Sequence, residues 1–277
     1  MKGTSNIQRQ AARPPWRRPA RFGRWLRVAG CGLLAFVLNA APADMVLIAN
    51  GVYRPMFRSA AEPKAVPVKA FYLDALPVTV NDFLGFVRAN PRWQRSRAKR
   101  IFADESYLNN WAGDLDPGIN APARSPVTYV SWFAAKAFAQ WKGQRLPTVA
   151  EWECAASASA TRPDGENDPR FKAQIQQWYS RPTPAVLPAA GADTANVFGA
   201  HDLHGLVWEW VADFNSALIS GDSREGGFSD RRFFCGGGSQ GARDPGDYPG
   251  FMRYAFRGSL QADYCVHNLG FRCAHDL

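Results

Sequence analysis

Histidine, cysteine and methionine are scarce in this 277-residue chain, at four, five and four. Metal sites rich in imidazole or soft sulfur therefore have few residues to draw on. A Ser-His-Asp relay is equally short of material, and no serine stands at a recognisable nucleophile elbow. Long apolar runs are missing too. The longest, from about Val28 to Leu38, is shorter than the roughly 20 residues a membrane span needs. No internal repeat is visible, and no linker divides the chain. Acidic residues are absent from residues 1–43, which hold eight basic ones.

That asymmetry accounts for the formal charge of +9. Removing Lys2, Arg9, Arg13, Arg17, Arg18, Arg21, Arg24 and Arg27 from the 33 basic residues leaves 25 against 24 acidic ones. The remainder is nearly neutral, so no nucleic-acid partner is indicated. The first 43 residues run basic, then apolar, then small, with Ala41-Pro42-Ala43 as an A-x-A-like cut site. That order is the one expected of an export signal. Residues 1–43 are read as a leader, residues 44–277 as one domain, and the location as periplasmic or secreted, with no stable membrane span in the mature form. Val28-Ala29-Gly30-Cys31 precedes the apolar run, the wrong place for a lipoprotein box, and the residues after Arg17-Arg18 do not suit a twin-arginine signal.

About 234 residues follow the leader, enough to bury one sizeable core. Ten tryptophans, 24 glycines and 20 prolines, with few long periodic segments, indicate a loop-rich fold held by aromatic packing. Cys154, Cys235, Cys265 and Cys273 remain. In an oxidising compartment they form two bridges in one of three connectivities, or they are buried as thiols.

Met45–Ile48 reads as a strand, with Asn50-Gly51 as a hairpin turn before Val52-Tyr53 and another extended run at Val66–Leu73. Thr79 with Asp82 forms a capping box for a helix whose apolar face is Phe83, Phe86 and Val87, stopped at Asn90-Pro91. Ser131 caps a second helix through Trp141, and Thr148 with Glu151 opens a third. The basic cluster at 92–100 reads as a solvated face. Residues 160–195 read as loop. Gly236–Gly241 formally fits a dinucleotide fingerprint, but turn chemistry follows at Arg243-Asp244-Pro245-Gly246 in place of the helix it needs.

The densest chemistry lies in His201-Asp202-Leu203-His204-Gly205-Leu206-Val207-Trp208-Glu209-Trp210. In an extended run Trp208 and Trp210 share one side and Val207 and Glu209 the other. Asp202 and Glu209, with the carbonyls of Gly205 and Val207, make an oxygen-only set that suits calcium. His201 and His204 with Glu209 or His267 would suit iron; packing or surface roles are the plainer reading of these histidines.

Four blocks stand in order: Pro126–Trp132, Arg145–Glu153, Gly205–Trp210 and Asn268–Cys273. Together they resemble the formylglycine-generating enzyme (sulfatase-modifying factor) superfamily over essentially all of residues 44–277. The resemblance implies an α+β domain, irregular, loop-rich and C-type-lectin-like. It also implies a structural calcium ion held by the same four residues, Asp202, Gly205, Val207 and Glu209.

Formylglycine generation in that family uses two copper-binding cysteines between a Gly-Gly-Ser strand and an Arg-Tyr segment. The frame stands here as Gly237-Gly238-Ser239 and Arg253-Tyr254, but Ala242 and Phe251 occupy the cysteine positions. Neither can ligate copper(I). Copper and sulfatase activation are therefore not expected, iron stays open, and the catalytic residues, if any, are unknown. The inserted Asp244–Pro249 loop and Phe251–Arg257 most resemble the nitrite-reductase accessory subgroup. That likeness implies an exported maturation factor for a periplasmic denitrification metalloenzyme such as copper nitrite reductase, or for a peptide, with Ser239, Arg253, Tyr254 and Arg257 around its pocket. The alternative is a metal-dependent oxidase acting on a small molecule or peptide, and a carbohydrate-binding module is a third reading.

Overall fold

A computed structural model describes residues 44–57, 63–215, 242–244 and 246–277. The expected leader, Cys235, Ser239 and the glycine-rich stretch 236–241 lie outside the described residues. Every described residue belongs to one compact unit, residues 39–277. Among the described residues no helix is long and apolar enough to cross a membrane.

Three small sheets frame this mixed α/β domain. Strands β1 (Met45–Ile48), β4 (Phe71–Asp74) and β7 (Ala274–Asp276) form an antiparallel sheet in the order β1-β4-β7. Its register pairs Ile48 with Phe71 and Leu73 with Ala274, all buried. Strand β2 (Gly51–Tyr53) pairs antiparallel with β3 (Val66–Val68), and β5 (Trp208–Trp210) runs parallel to β6 (Leu269–Phe271). The expected Asn50-Gly51 hairpin does not form, because β1 and β2 belong to different sheets. Asn50 instead accepts a hydrogen bond from Ala70 N–H at 2.7 Å, pinning the chain where it changes sheets. The expected run Val66–Leu73 breaks for the same reason, into β3 and β4.

Helices α1 (Val80–Ala89), α2 (Trp132–Trp141) and α3 (Val149–Ala156) begin where their caps place them. Thr79 with Asp82 and Thr148 with Glu151 form reciprocal capping boxes, and the Ser131 hydroxyl accepts from Ala134 N–H. Each such cap stabilises a helix by about 1 kcal/mol. Phe83, Phe86, Phe138 and Phe271 interlock beneath α1 and α2, with Phe83 stacked on Phe138 at 5.8 Å.

Two helices depart from the sequence reading. Residues 160–195 are not all loop, since α4 spans Pro169–Tyr179. Its signals are Asp168 as N-cap, Pro169 in the first turn and Phe171, Ile175, Trp178 and Tyr179 at helical spacing. Helix α5 (Tyr248–Ser259) follows directly on the Asp244–Gly246 turn, with Asp247 accepting from Gly250 N–H. Gly250 also lets α5 approach the chain after β2, since a Cβ there would lie 2.5 Å from Met56 Cε. These two helices contact one another and wall the site described next.

Candidate functional site: a clasp and a cavity

The parallel pair β5/β6 sets Glu209 opposite Gly270, with Arg272 just beyond the strand end. Arg272 Nε donates to both Glu209 oxygens, at 3.0 and 2.8 Å, and Nη2 donates to Oε1 at 2.8 Å. Its remaining donors reach the carbonyls of Asp74, Ala75 and His201. Trp152 Nε1 adds a 2.7 Å bond to Glu209 Oε2. Both charged side chains are fully buried. Such a pair is stable only because its hydrogen-bonding capacity is met almost completely.

The calcium expectation meets these donors directly, and they do not fit it. Both oxygens of Glu209 are committed to Arg272, and a cation on them would sit beside a guanidinium in a fully buried site. The Asp202 carboxylate accepts from Gly191 N–H, and Asp202 is buried at a positive φ of 56°. Gly205 makes the bend at φ 89°, where a Cβ would also strike Trp178 at 2.8 Å. Asp202, Gly205, Val207 and Glu209 thus shape a turn and an ion pair.

The iron set does not assemble either. His201 Nδ1 bonds the Asp193 carbonyl, and both ring nitrogens of His204 are engaged elsewhere. Among the described residues no three His, Cys, Asp or Glu side chains gather into a metal-binding group. The Cys265 and Cys273 thiols are free and buried, and burial pushes both well above the usual thiol range.

Beside the clasp, with Glu153, Arg253 and Arg257 in its lining, lies a cavity of about 290 Å³. Its charged wall is built by α3 and α5. Arg253 and Arg257, one turn apart on α5, both reach Glu153 on α3. Arg253 Nε and Nη2 lie 2.9 Å from its oxygens, and Arg257 Nη1 lies at 2.5 Å. Burial alone would raise the Glu153 carboxyl, but the two guanidinium charges outweigh it and hold the pKa at about 2. The Arg257 guanidinium lies 4.9 Å from the Trp152 ring centroid, a cation–π contact.

A hydrogen-bond chain leads inward from Arg253. Its Nη1 approaches the Tyr179 hydroxyl at 3.5 Å, the hydroxyl lies 3.0 Å from His204 Nδ1, and His204 Nε2 lies 2.9 Å from the Ala156 carbonyl. A carbonyl only accepts, so Nε2 carries the proton and Nδ1 accepts from Tyr179. Burial first, then the charge of Arg253, lowers the His204 pKa to about 3 and keeps the ring neutral. Tyr53 faces the same cavity, and burial raises its phenol, leaving it a donor at neutral pH.

Of the pocket residues expected from the sequence, Arg253, Tyr254 and Arg257 line the cavity. Tyr254 packs on Phe57 with ring centroids 4.7 Å apart. Ser239 lies outside the described residues. Phe251 stands edge-on to Phe57 at 6.3 Å, and Arg243, next to Ala242, donates its N–H to the Met56 carbonyl. Phe251 and the residue after Ala242 therefore border the Met56-Phe57 segment. Glu153, Tyr53 and Tyr179 were not among the residues expected from the sequence. Only Glu153 carried a signal, as the second acid of the Glu151-Trp152-Glu153 block.

Fold and site together define a mixed α/β domain with one internal ion-pair clasp and a neighbouring cavity lined by arginines. The chain belongs to the sulfatase-modifying factor enzyme 1-like domain family, whose model matches residues 37–277. It is similar to the inactive Cα-formylglycine-generating enzyme 2 of Bos taurus, 27% identical over 91% of each chain. It is also similar to the formylglycine-generating enzyme of Streptomyces coelicolor, 35% identical over 70% of this chain and 64% of that protein. A third relative, the hercynine oxygenase of Mycobacterium tuberculosis, is 32% identical over 53% of this chain and 38% of that protein. The chain spans less than two thirds of the last two. An inactive protein, a modifying enzyme and an oxygenase share this frame, so membership alone does not fix a chemistry.

Proposed function

We propose that this protein is an exported binding and maturation factor that uses the sulfatase-modifying-factor fold without generating formylglycine. One observation carries the reading: a cavity walled by Arg253, Tyr254 and Arg257 is formed, while Ala242 and Phe251 stand where the family's copper-binding cysteines are matched. A methyl group and a phenyl ring offer copper(I) no donor, so the cavity keeps recognition and lacks the family's oxygen chemistry. Arginine donors on one wall and Phe57, Ile175 and Met56 elsewhere suit a peptide segment with polar and apolar parts.

In this reading the fold is irregular and C-type-lectin-like, residues 1–43 direct export, and the client is a periplasmic denitrification metalloenzyme such as copper nitrite reductase. Support for the client is the likeness of residues 244–257 to the nitrite-reductase accessory subgroup. Incubation with a Cys-x-Pro-x-Arg peptide, copper and oxygen is expected to leave the peptide mass unchanged; conversion to the aldehyde sinks the proposal. A second arm mixes the protein with purified apo nitrite reductase and copper. Faster copper loading, lost in Arg257→Ala, is expected, and an unaltered rate rejects this client. Stoichiometric iron or copper in the purified protein would instead mark a metal-dependent oxidase.

A further inference from the structure

We infer that the turn Lys99–Phe102 is a docking tip for an anionic phospholipid surface. The turn is closed by Phe102 N–H, which donates to the Lys99 carbonyl at 2.8 Å, with Ala103 N–H on the same oxygen at 3.2 Å. Arg100 and Ile101 occupy its centre. Ile101 is 74% exposed and Phe102 40%. Glycine, asparagine, aspartate and proline are the residues turns favour, each for a conformational reason that isoleucine does not share. The turn has no use for this apolar side chain in solvent.

Four exposed cations lie in or just before the tip in the chain: Arg92, Arg97, Lys99 and Arg100. None of them forms a salt bridge among the described residues. The nearby acids keep their charge, and Asp114 interacts electrostatically with Arg97 and Arg95. Asp114 accepts from Ser96 N–H and Oγ, and Asp104 accepts from the N–H groups of Ser106 and Cys265, leaving Glu105 exposed. Residues 92–105 carry five cations, Arg92, Arg95, Arg97, Lys99 and Arg100, against two carboxylates, Asp104 and Glu105, so the segment bearing the apolar pair is net positive.

The platform beneath is firmly held. The N–H groups of Arg97 and Ala98 both donate to the Gln94 carbonyl, and the Arg95 guanidinium donates to Trp111 O and Asn109 Oδ1. Phe102 rests on Phe133 and buried Trp93, with centroids 5.4 and 6.4 Å away. An exposed apolar pair on a net-positive segment matches a negatively charged bilayer interface. Headgroup phosphates receive the cations, and Ile101 with Phe102 enters the acyl boundary. No residue of the tip lines the cavity.

The test uses the compact unit, residues 39–277, so that the basic leader cannot contribute. It is expected to cosediment with vesicles of mixed phosphatidylglycerol and phosphatidylcholine, and not with phosphatidylcholine alone. Lys99→Gln and Arg100→Gln should each lower partitioning about fivefold, and Ile101→Ser about tenfold. Melting temperatures should stay unchanged in all three, as solvent-facing substitutions leave the core intact. Equal binding to zwitterionic vesicles, or none to anionic ones, overturns the proposal. So does competition by heparin combined with an Ile101→Ser variant that binds as well as the parent, which would indicate a soluble polyanion.

Discussion

Two buried arginine–carboxylate assemblies meet Trp152, one at its indole N–H edge and one over its ring. The clasp pairs one arginine, Arg272, with one carboxylate, Glu209, and both are fully sealed. The cavity cluster sets two arginines, Arg253 and Arg257, on one carboxylate, Glu153, and the three side chains keep 10 to 16% exposure. Trp152 serves both, its indole N–H on Glu209 and its ring against Arg257. A balanced, sealed pair has nothing left to offer a ligand. An unbalanced cluster at a cavity wall has guanidinium charge in excess and a route to what would neutralise it. Similar residue chemistry thus becomes scaffold in one place and candidate site in the other, by stoichiometry and access.

The largest effect should come from breaking the clasp. Arg272→Met leaves Glu209 buried without a partner and is expected to cost about 3–5 kcal/mol, measured by urea unfolding. Combining it with Glu209→Met should recover much of the loss, because the double variant buries no charge. The loss on Glu209→Gln should be the same with and without chelator. A melting temperature that falls with chelator only in the parent would restore calcium to Glu209.

Glu153→Gln is expected to have a smaller effect, about 2 kcal/mol, since solvent and small anions reach the arginines it abandons. Added acetate or sulfate should stabilise this variant and leave the Arg272 variants unmoved. If anions rescue neither or both, the contrast between sealed and open assemblies is wrong.

The finest test is pH. Burial first, then Arg253, lowers His204 from 6.5 to about 3, so the unfolded chain takes the proton first and acidification below 6.5 removes stability. Burial raises Asp74, beside the clasp, from 3.8 to about 6. There the folded chain takes the proton first, so stability is lost as pH rises through that range. The two oppose each other between about pH 5 and 6, above the 4.5 at which Glu153 begins to take up its proton in the unfolded chain, and the parent should vary little there. His204→Gln should gain stability on acidification across this window, and Asp74→Asn should lose it. Parallel slopes in the two variants would contradict the assignment.

Local signals were legible wherever one backbone group met one side chain. The capping residues Thr79, Ser131 and Thr148 announce α1, α2 and α3 because a cap is satisfied within four residues. Asp168-Pro169 and Asp247 carry the same kind of signal for α4 and α5, but the proline- and glycine-rich surroundings obscured it. The Asn50-Gly51 hairpin failed because strand partners are chosen by distant chain: β1 waits for Phe71–Asp74, and β4 in turn for Ala274–Asp276. The pocket arginines could be named from the Arg253-Tyr254 frame, whereas their partner Glu153 lies a hundred residues away.

By itself the sequence determined the family, the capped helices, the Trp-Glu-Trp strand and the absence of thiols at Ala242 and Phe251. Each of these depends on residue identity at short range or in ordered blocks. Only the tertiary structure decided which carboxylate meets which arginine. Glu209 and Glu153 are both acids beside tryptophans, and nothing local separates them. A parallel strand pair delivers Arg272 to one, and a helix set against the chain after β2 delivers Arg253 and Arg257 to the other. Charge in a protein interior takes its role from the partners that long-range packing brings within about 3 Å.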